Sequence, residues 1–125
     1  MFKKVLVTCI TAAVCFCFNP ALSQAGESLI LTTATTGGTY YPVGVAIGTL
    51  SSIKLAKKHG ITVTAINSAG SGENVQMLKN KEAQMAILQS LFGLNAYQGM
   101  GPYKGKPVKD FRSITMLWEN WNIFP

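Results

Sequence analysis

One pattern occurs three times between residues 26 and 99: an apolar run, then a turn rich in Gly, Ser or Thr, then a segment with helical spacing. The apolar runs lie at residues 29–34, 61–66 and 85–88. The second run is rich in β-branched residues and alternates between apolar and polar positions, which is typical of a strand. The third run is uniformly apolar, as in a strand that is covered on both faces. Strands that alternate with helices predict a parallel sheet with right-handed crossovers. The predicted fold class is α/β, an open parallel sheet with flanking helices, and residues 113–118 predict a fourth strand.

The predicted helices follow the three turns. The first is expected to begin after Thr39 as N-cap, to run to about Lys58 and to end at Gly60. The predicted buried face of this helix consists of four apolar residues at helical spacing: Val43, Ile47, Leu50 and Ile53. Gly44 and Gly48 predict close packing of this helix on a strand. The second helix is expected to be capped by Ser71, and the third, through residues 91–97, to be stopped by Gly99.

The first 25 residues have the layout of a secretory signal peptide. Lys3 and Lys4 precede 14 uncharged, largely apolar residues, and small residues lead to a cleavage site predicted after Ala25. A membrane anchor is the alternative, but 14 residues fall short of the roughly 20 that a spanning helix needs. All three cysteines lie at or before residue 17, so the mature chain has no thiol. The prediction is a periplasmic protein without stable membrane insertion after cleavage.

Composition narrows the possible partners. The 125-residue chain carries a net charge of +6 but only 13% charged residues against 48% hydrophobic ones, which excludes a disordered basic tail. Its length allows one domain or a piece of a larger one. The basic residues are scattered Lys with a single Arg, so nucleic acid is not a predicted partner. Export also argues against functions that need ATP or NAD from the cytosol.

Polar residues follow all three predicted strands. Turns at the carboxyl ends of parallel strands gather at one edge of a sheet, where ligands bind. The helices that follow begin with backbone N–H groups that lack intrahelical partners, which favours a carboxylate or another anion. The predicted ligand-binding residues are Gly38, Thr39, Tyr40, Ser68, Ser71, Gly72, Asn74, Gln89 and Ser90. Ordinary turn and capping chemistry explains the same residue types and stays open as the alternative.

Other motifs give weaker signals. The sequence GSGENV at residues 70–75 begins like a dinucleotide-binding loop, but its third glycine and the later acidic residue are missing. His59 stands beside two lysines at a predicted helix end, and Glu73 fits a favourable charge in a first helical turn. No nucleophile and base, metal cage or cofactor motif is complete in the sequence. The prediction is a binding protein rather than an enzyme, without a cofactor.

With these residues in view, the chain resembles the TAXI group of extracytoplasmic solute receptors of TRAP transporters. The likeness lies in TGGTYYPVG at residues 36–44 and SGEN at residues 71–74. It continues in AILQS at residues 86–90 and YKGKPVKDFR at residues 103–112. The resemblance covers nearly the whole mature chain, and its first block is quite specific.

The resemblance implies a two-lobed periplasmic binding protein of the second type. Its cleft would close on a small organic acid, such as glutamate or a related dicarboxylate, and deliver it to the TRAP membrane permease subunits. The carried-over cleft positions are those proposed from the turns, with Tyr41 added. Residues 26–125 are then a partial first lobe, because such receptors are longer and their second lobe is missing here. We therefore expect a truncated, N-terminal fragment.

Two alternatives stay open at this point. The first is a fragment of an exported α/β hydrolase or transferase whose catalytic residues lie beyond Pro125; a Gly-x-Ser-x-Gly elbow with later Asp and His would mark it. The second is a nonfunctional truncated remnant with exposed apolar edges.

Overall fold

The structure, a computed structural model, describes residues 26–119. Its regular elements, in chain order, are strand β1 (Glu27–Thr32), helix α1 (Tyr40–His59), strand β2 (Ile61–Ile66), helix α2 (Ser71–Lys79), strand β3 (Met85–Ala86) and helix α3 (Ser90–Gln98). A short 3-10 turn, Gly101–Tyr103, follows. The predicted signal peptide and its cleavage site lie outside the described residues.

The three strands form one parallel sheet in the order β2, β1, β3. β1 pairs with β2 along its whole length, from Glu27 opposite Ile61 to Thr32 opposite Ile66. Its pairing with β3 is short, Leu31 opposite Met85 and Thr32 opposite Ala86. The order follows from the two crossovers, which leave β1 in the centre and carry α1 and α2 to the faces of the sheet. The predicted open α/β architecture is confirmed.

Helices cover both faces of the sheet. Leu31 of β1 belongs to a buried cluster that includes Val63 and Ile87 and packs against Val43 and Ile47 of α1. The next residue, Thr32, points the other way and bonds to α2, because successive side chains of a strand alternate between faces. A second cluster lies on that side and joins α2, α3 and the segment after α3 through Val75, Ala96, Tyr103 and Val108.

Two glycines let α1 approach the sheet. A Cβ at Gly44 would lie 2.3 Å from the Thr33 methyl carbon, and one at Gly48 would lie 2.9 Å from the Val63 carbonyl oxygen. Both glycines are buried. The close packing predicted from the G-x-x-x-G spacing is therefore confirmed, and the contact is between helix and strand.

The prediction of the buried face of α1 is correct for two of its four residues. Val43 and Ile47 pack on the sheet, but Leu50 is 61% exposed and Ile53 is 68% exposed. The helix is placed by its smallest residues, which permit the closest approach, and Leu50 and Ile53 lie away from that contact. Apolar spacing alone therefore does not identify the packed face of this helix.

The two predicted helix ends are correct, and so is one of the two predicted N-caps. Gly60 and Gly99 end α1 and α3 with φ of 68° and 69°, a left-handed conformation that favours glycine. Thr39 is the N-cap of α1, as predicted, although its side chain makes no cap bond. Ser71 is the first residue of α2 rather than its cap, which is Gly70.

The fourth predicted strand is wrong. Residues 113–118 have no regular structure and are exposed, with Ile114 at 79% and Met116 at 74%. An apolar, β-prone segment becomes a strand only where a neighbouring strand pairs with it, and this segment pairs with none in the described part of the chain. β3 is also shorter than the predicted residues 85–88.

Within residues 26–119, none of the helices has both the length and the apolar character needed to cross a bilayer.

Candidate functional site

The three strands end at the same edge of the sheet, and each is followed by a turn and the start of a helix. The turns occupy residues 33–39, 67–70 and 87–89. Because the sheet is parallel, the amino-terminal ends of α1, α2 and α3 all lie at this edge. We call the region the turn edge. It contains every residue predicted from the turns.

Asn74 is the residue that joins the three turns. Its side-chain oxygen accepts hydrogen bonds from the hydroxyls of Thr32 (2.7 Å) and Ser68 (2.6 Å). Its side-chain nitrogen donates to the carbonyl oxygens of Thr33 (2.6 Å) and Ile87 (2.8 Å). One amide therefore contacts the end of β1, the turn after β2 and the residue after β3. Asn74 is fully buried.

Further hydrogen bonds connect the turns in pairs. The Thr33 hydroxyl donates to the Ile66 carbonyl (2.6 Å), and the Ser68 N–H donates to the Ala34 carbonyl (3.1 Å). These two bonds tie the first turn to the second. The Ser71 hydroxyl accepts the Gln89 N–H at 2.9 Å and ties the second turn to the third. The turn edge is thus one connected network.

The three helix starts at this edge have uncapped backbone N–H groups in common, and α2 alone carries an acidic residue in its first turn. None of the three helices carries a side-chain cap bond within residues 26–119. Uncapped first-turn N–H groups and the positive end of the helix dipole attract anions. The Glu73 carboxylate accepts the Ala69 N–H, one residue before the α2 cap, and leaves the first amides of α2 to other partners. Its place in the first turn agrees with the favourable charge predicted for it.

An open apolar cleft of about 1440 Å³ begins at this edge and runs along β3, α3 and residues 110–119. Tyr40, Gln89 and Ser90 line it, and so bring the first and third turns to one space. The Tyr40 ring also meets the Trp118 ring edge-on, with 5.5 Å between centroids. Lys81 and Arg112 are basic residues of the same lining.

The other predicted residues have different surroundings. Ser68 is buried and its hydroxyl also accepts the Gly70 N–H at 3.0 Å. Gly38 and Tyr41 are partly buried, and Thr39 and Ser90 are exposed. Gly72 is near α3, since a Cβ there would lie 3.8 Å from the Phe92 ring. These positions share the turn edge, but the hydrogen bonds group only Ser68, Ser71, Asn74 and Gln89 directly.

Thr32 and Thr33 are the residues that the sequence reasoning missed. Both are fully buried and hold Asn74 and the end of β2, respectively. Two hydroxyls at the end of an otherwise apolar run were the available signal, because buried polar groups need partners.

The remaining chemistry of the described residues concerns metal ligands and one buried phenol. No group of three or more His, Cys, Asp or Glu side chains there could hold a metal ion. Burial raises the pKa of the Tyr103 phenol above its usual value of 10.0. Tyr103 belongs to the core cluster of α2 and α3.

Comparison with known families shows the broad class of protein to which the chain belongs. The model of the NMT1-like family matches residues 31–124, most of the chain and all three turns. The chain belongs to the NMT1-like family. This is a family of periplasmic binding proteins related to solute-binding proteins, so membership indicates an extracytoplasmic solute-binding role. The three-stranded sheet of this NMT1-like chain is consistent with part of a binding-protein lobe. Membership is compatible with a protein that does not catalyse a reaction.

Proposed function

We propose that this protein is the solute receptor of a TRAP-type secondary transporter, of the TAXI kind, and that it captures a small carboxylate such as glutamate or a related dicarboxylate. It delivers the ligand to the membrane permease subunits from the periplasm, after removal of residues 1–25. Residues 26–125 supply part of the first lobe in this proposal. A second lobe supplies the opposite wall of the cleft.

The observation that carries the proposal is the junction of three uncapped helix starts at one edge of the sheet. The Asn74 bonds hold the three turns together, and all three helices begin there without side-chain caps. A carboxylate at this edge would accept hydrogen bonds from several backbone N–H groups at once. Several charge-assisted bonds to one ligand give both affinity and orientation.

The proposed ligand contacts divide by exposure. Gly38, Thr39, Tyr40, Tyr41, Ser71, Gly72, Gln89 and Ser90 retain exposed or partly buried positions and are proposed to face the ligand. Ser68 and Asn74 are buried. We assign to them the support of the site from beneath. Tyr40 contributes an aromatic wall, since its ring lines the cleft.

Isothermal titration calorimetry tests the proposal. The sample is the mature gene product, by which we mean the protein expressed from its complete reading frame without residues 1–25. L-Glutamate, 2-oxoglutarate and glutarate are titrated, with the uncharged diamide glutaramide as the matched control. We expect saturable binding of at least one acid and none of the diamide. Absence of heat with every carboxylate would contradict the proposal.

A pair of serine variants tests the location. Ser90→Ala removes an exposed hydroxyl at the start of α3, and Ser28→Ala removes an exposed hydroxyl near the amino end of β1, at the opposite edge of the sheet. We expect Ser90→Ala to weaken acid binding by about fivefold, the equivalent of one hydrogen bond of ordinary net strength. Ser28→Ala should leave the affinity unchanged. Equal affinities for both variants would place the ligand elsewhere.

A further inference from the structure

The side-chain amide of Asn74 makes all the hydrogen bonds that it can make within the protein. A primary amide has two N–H donors and an oxygen that accepts two hydrogen bonds, and all four are used by Thr32, Thr33, Ser68 and Ile87. The residue is fully buried. No hydrogen-bonding position of the Asn74 side chain is left for a ligand, although its sequence position beside the α2 start predicts a direct contact.

The four partners belong to three different strand ends. Thr32 and Thr33 lie at the end of β1, Ser68 lies after β2, and Ile87 lies after β3. The partners also lead outward to the helix starts. Ser68 accepts the N–H of Gly70, the α2 cap residue. Ile87 is two residues from Gln89, whose N–H is held by Ser71.

We propose that Asn74 is a positioning residue that fixes the helix starts of α2 and α3 relative to β1, so that the anion-binding edge is preformed before a ligand arrives. The inference rests on the proposed function for the identity of the ligand, but its structural content concerns this chain alone. Without the amide, each turn would keep its own pairwise bonds and the spacing between turns would be free to vary. A preformed site binds more tightly because less ordering accompanies association.

Thr32→Val is the cleanest perturbation. Thr32 is fully buried and is not a proposed ligand contact, and valine keeps its shape while removing the hydroxyl donor to Asn74. Asn74→Asp is the second variant; it keeps an acceptor for Thr32 and Ser68 but loses the donor to the two carbonyls. Val63→Ala is the matched control, because Val63 is buried in the α1 side of the core and is not a hydrogen-bond partner of the Asn74 amide.

Amide hydrogen exchange of the mature gene product provides a readout that needs no ligand. The reporters are the N–H groups of Gly70 and Gln89 at the turn edge, and Gly60, whose N–H is bonded to Ala56 at the other end of α1. In Thr32→Val we expect exchange at Gly70 and Gln89 to accelerate by about fivefold or more relative to Gly60, because local opening sets local exchange. In Val63→Ala the three reporters should accelerate together.

Calorimetry of the same variants with L-glutamate gives the second readout. We expect Thr32→Val to raise the dissociation constant about fivefold at a temperature where it and Val63→Ala are folded, and Val63→Ala to leave it unchanged. Uniform acceleration of the three reporters in Thr32→Val would overturn the inference. Complete loss of binding in Asn74→Asp, together with unchanged affinity and unchanged exchange in Thr32→Val, would also overturn the inference. A direct contact between Asn74 and the ligand would produce that combination. If the wild type binds no acid, the proposed function fails, and the exchange pattern alone decides the inference.

Discussion

At the scale of single residues, the turn edge separates residues that face outward from residues that hold the backbone. Glycine, serine, threonine and asparagine in the turns predicted a polar site, but residue type does not reveal direction. Ser71 shows this: its hydroxyl accepts the Gln89 N–H of another turn rather than capping its own helix. That bond spans 18 residues and depends on the sheet order, which no local pattern contains.

Glu73 offers a residue-level test of the electrostatics. Its exposed carboxylate lies in the first turn of α2, so it should repel an anionic ligand at the same helix start. We expect Glu73→Gln to strengthen binding of 2-oxoglutarate severalfold at low salt and by less at high salt, where the repulsion is screened. The substitution should also lower stability by about 0.3–1 kcal/mol, the usual contribution of an anion near a helix start. Glu27→Gln, an exposed site on β1 at the far edge, is the control, and titrations at two salt concentrations provide the measurement.

Tyr103 gives the protein a pH-dependent contribution to stability. Burial raises the pKa of its phenol in the folded state, while the unfolded chain has the ordinary value of about 10. Above that pH the unfolded state loses its proton first, so the free energy of unfolding falls as the pH rises through the folded pKa. Tyr103→Phe should flatten this alkaline loss in urea unfolding of the mature gene product between roughly pH 9 and 11. Tyr41→Phe is the control, and an identical alkaline loss in wild type and Tyr103→Phe would refute the prediction.

At the scale of elements, the alternation of strand, turn and helix was sufficient to predict β1, β2, the three helices and the parallel pairing of the strands. The helix ends were predictable because Gly60 and Gly99 act locally. Residues 113–118 were mispredicted because strand formation depends on a partner. The packed face of α1 was mispredicted at Leu50 and Ile53 because it is decided by Gly44 and Gly48.

The α1 contact yields an element-level prediction. A methyl group added at Gly44 meets the Thr33 side chain at 2.3 Å, and Thr33 in turn holds the end of β2. Gly44→Ala should therefore displace α1 and lower the free energy of unfolding by about 1–3 kcal/mol. Gly37→Ala is the matched control, because a Cβ there meets nothing within 4 Å. Chemical denaturation of both variants of the mature gene product measures the difference, and equal stabilities would show that the close approach has no energetic consequence.

At the scale of the whole molecule, the described residues leave much apolar surface uncovered. Leu91, Leu94, Ile114, Met116 and Leu117 are each at least 45% exposed. Most of these residues line the cleft beside β3, which lies at the end of the sheet and pairs over two residues only. Exposed apolar surface of this extent is typical of an interaction or assembly face.

The uncovered surface predicts the behaviour of residues 26–125 as an isolated piece. We expect its thermal unfolding, followed by circular dichroism, to show a gradual change without a cooperative transition, because a three-stranded sheet with one short edge strand buries little apolar area. The mature gene product in the same buffer is the comparison. A sharp, reversible transition of the piece would demonstrate that it folds independently.

If one carboxylate is held by the starts of three helices together, all three starts must respond to the same ligand. Nuclear magnetic resonance of the ¹⁵N-labelled mature gene product during titration with 2-oxoglutarate measures this response at each amide. We expect the amide signals of Tyr40, Ser71, Gly72, Ser90 and Leu91 all to shift and to saturate with one dissociation constant. Shifts confined to a single helix start, or no shift at any of the three, would contradict it.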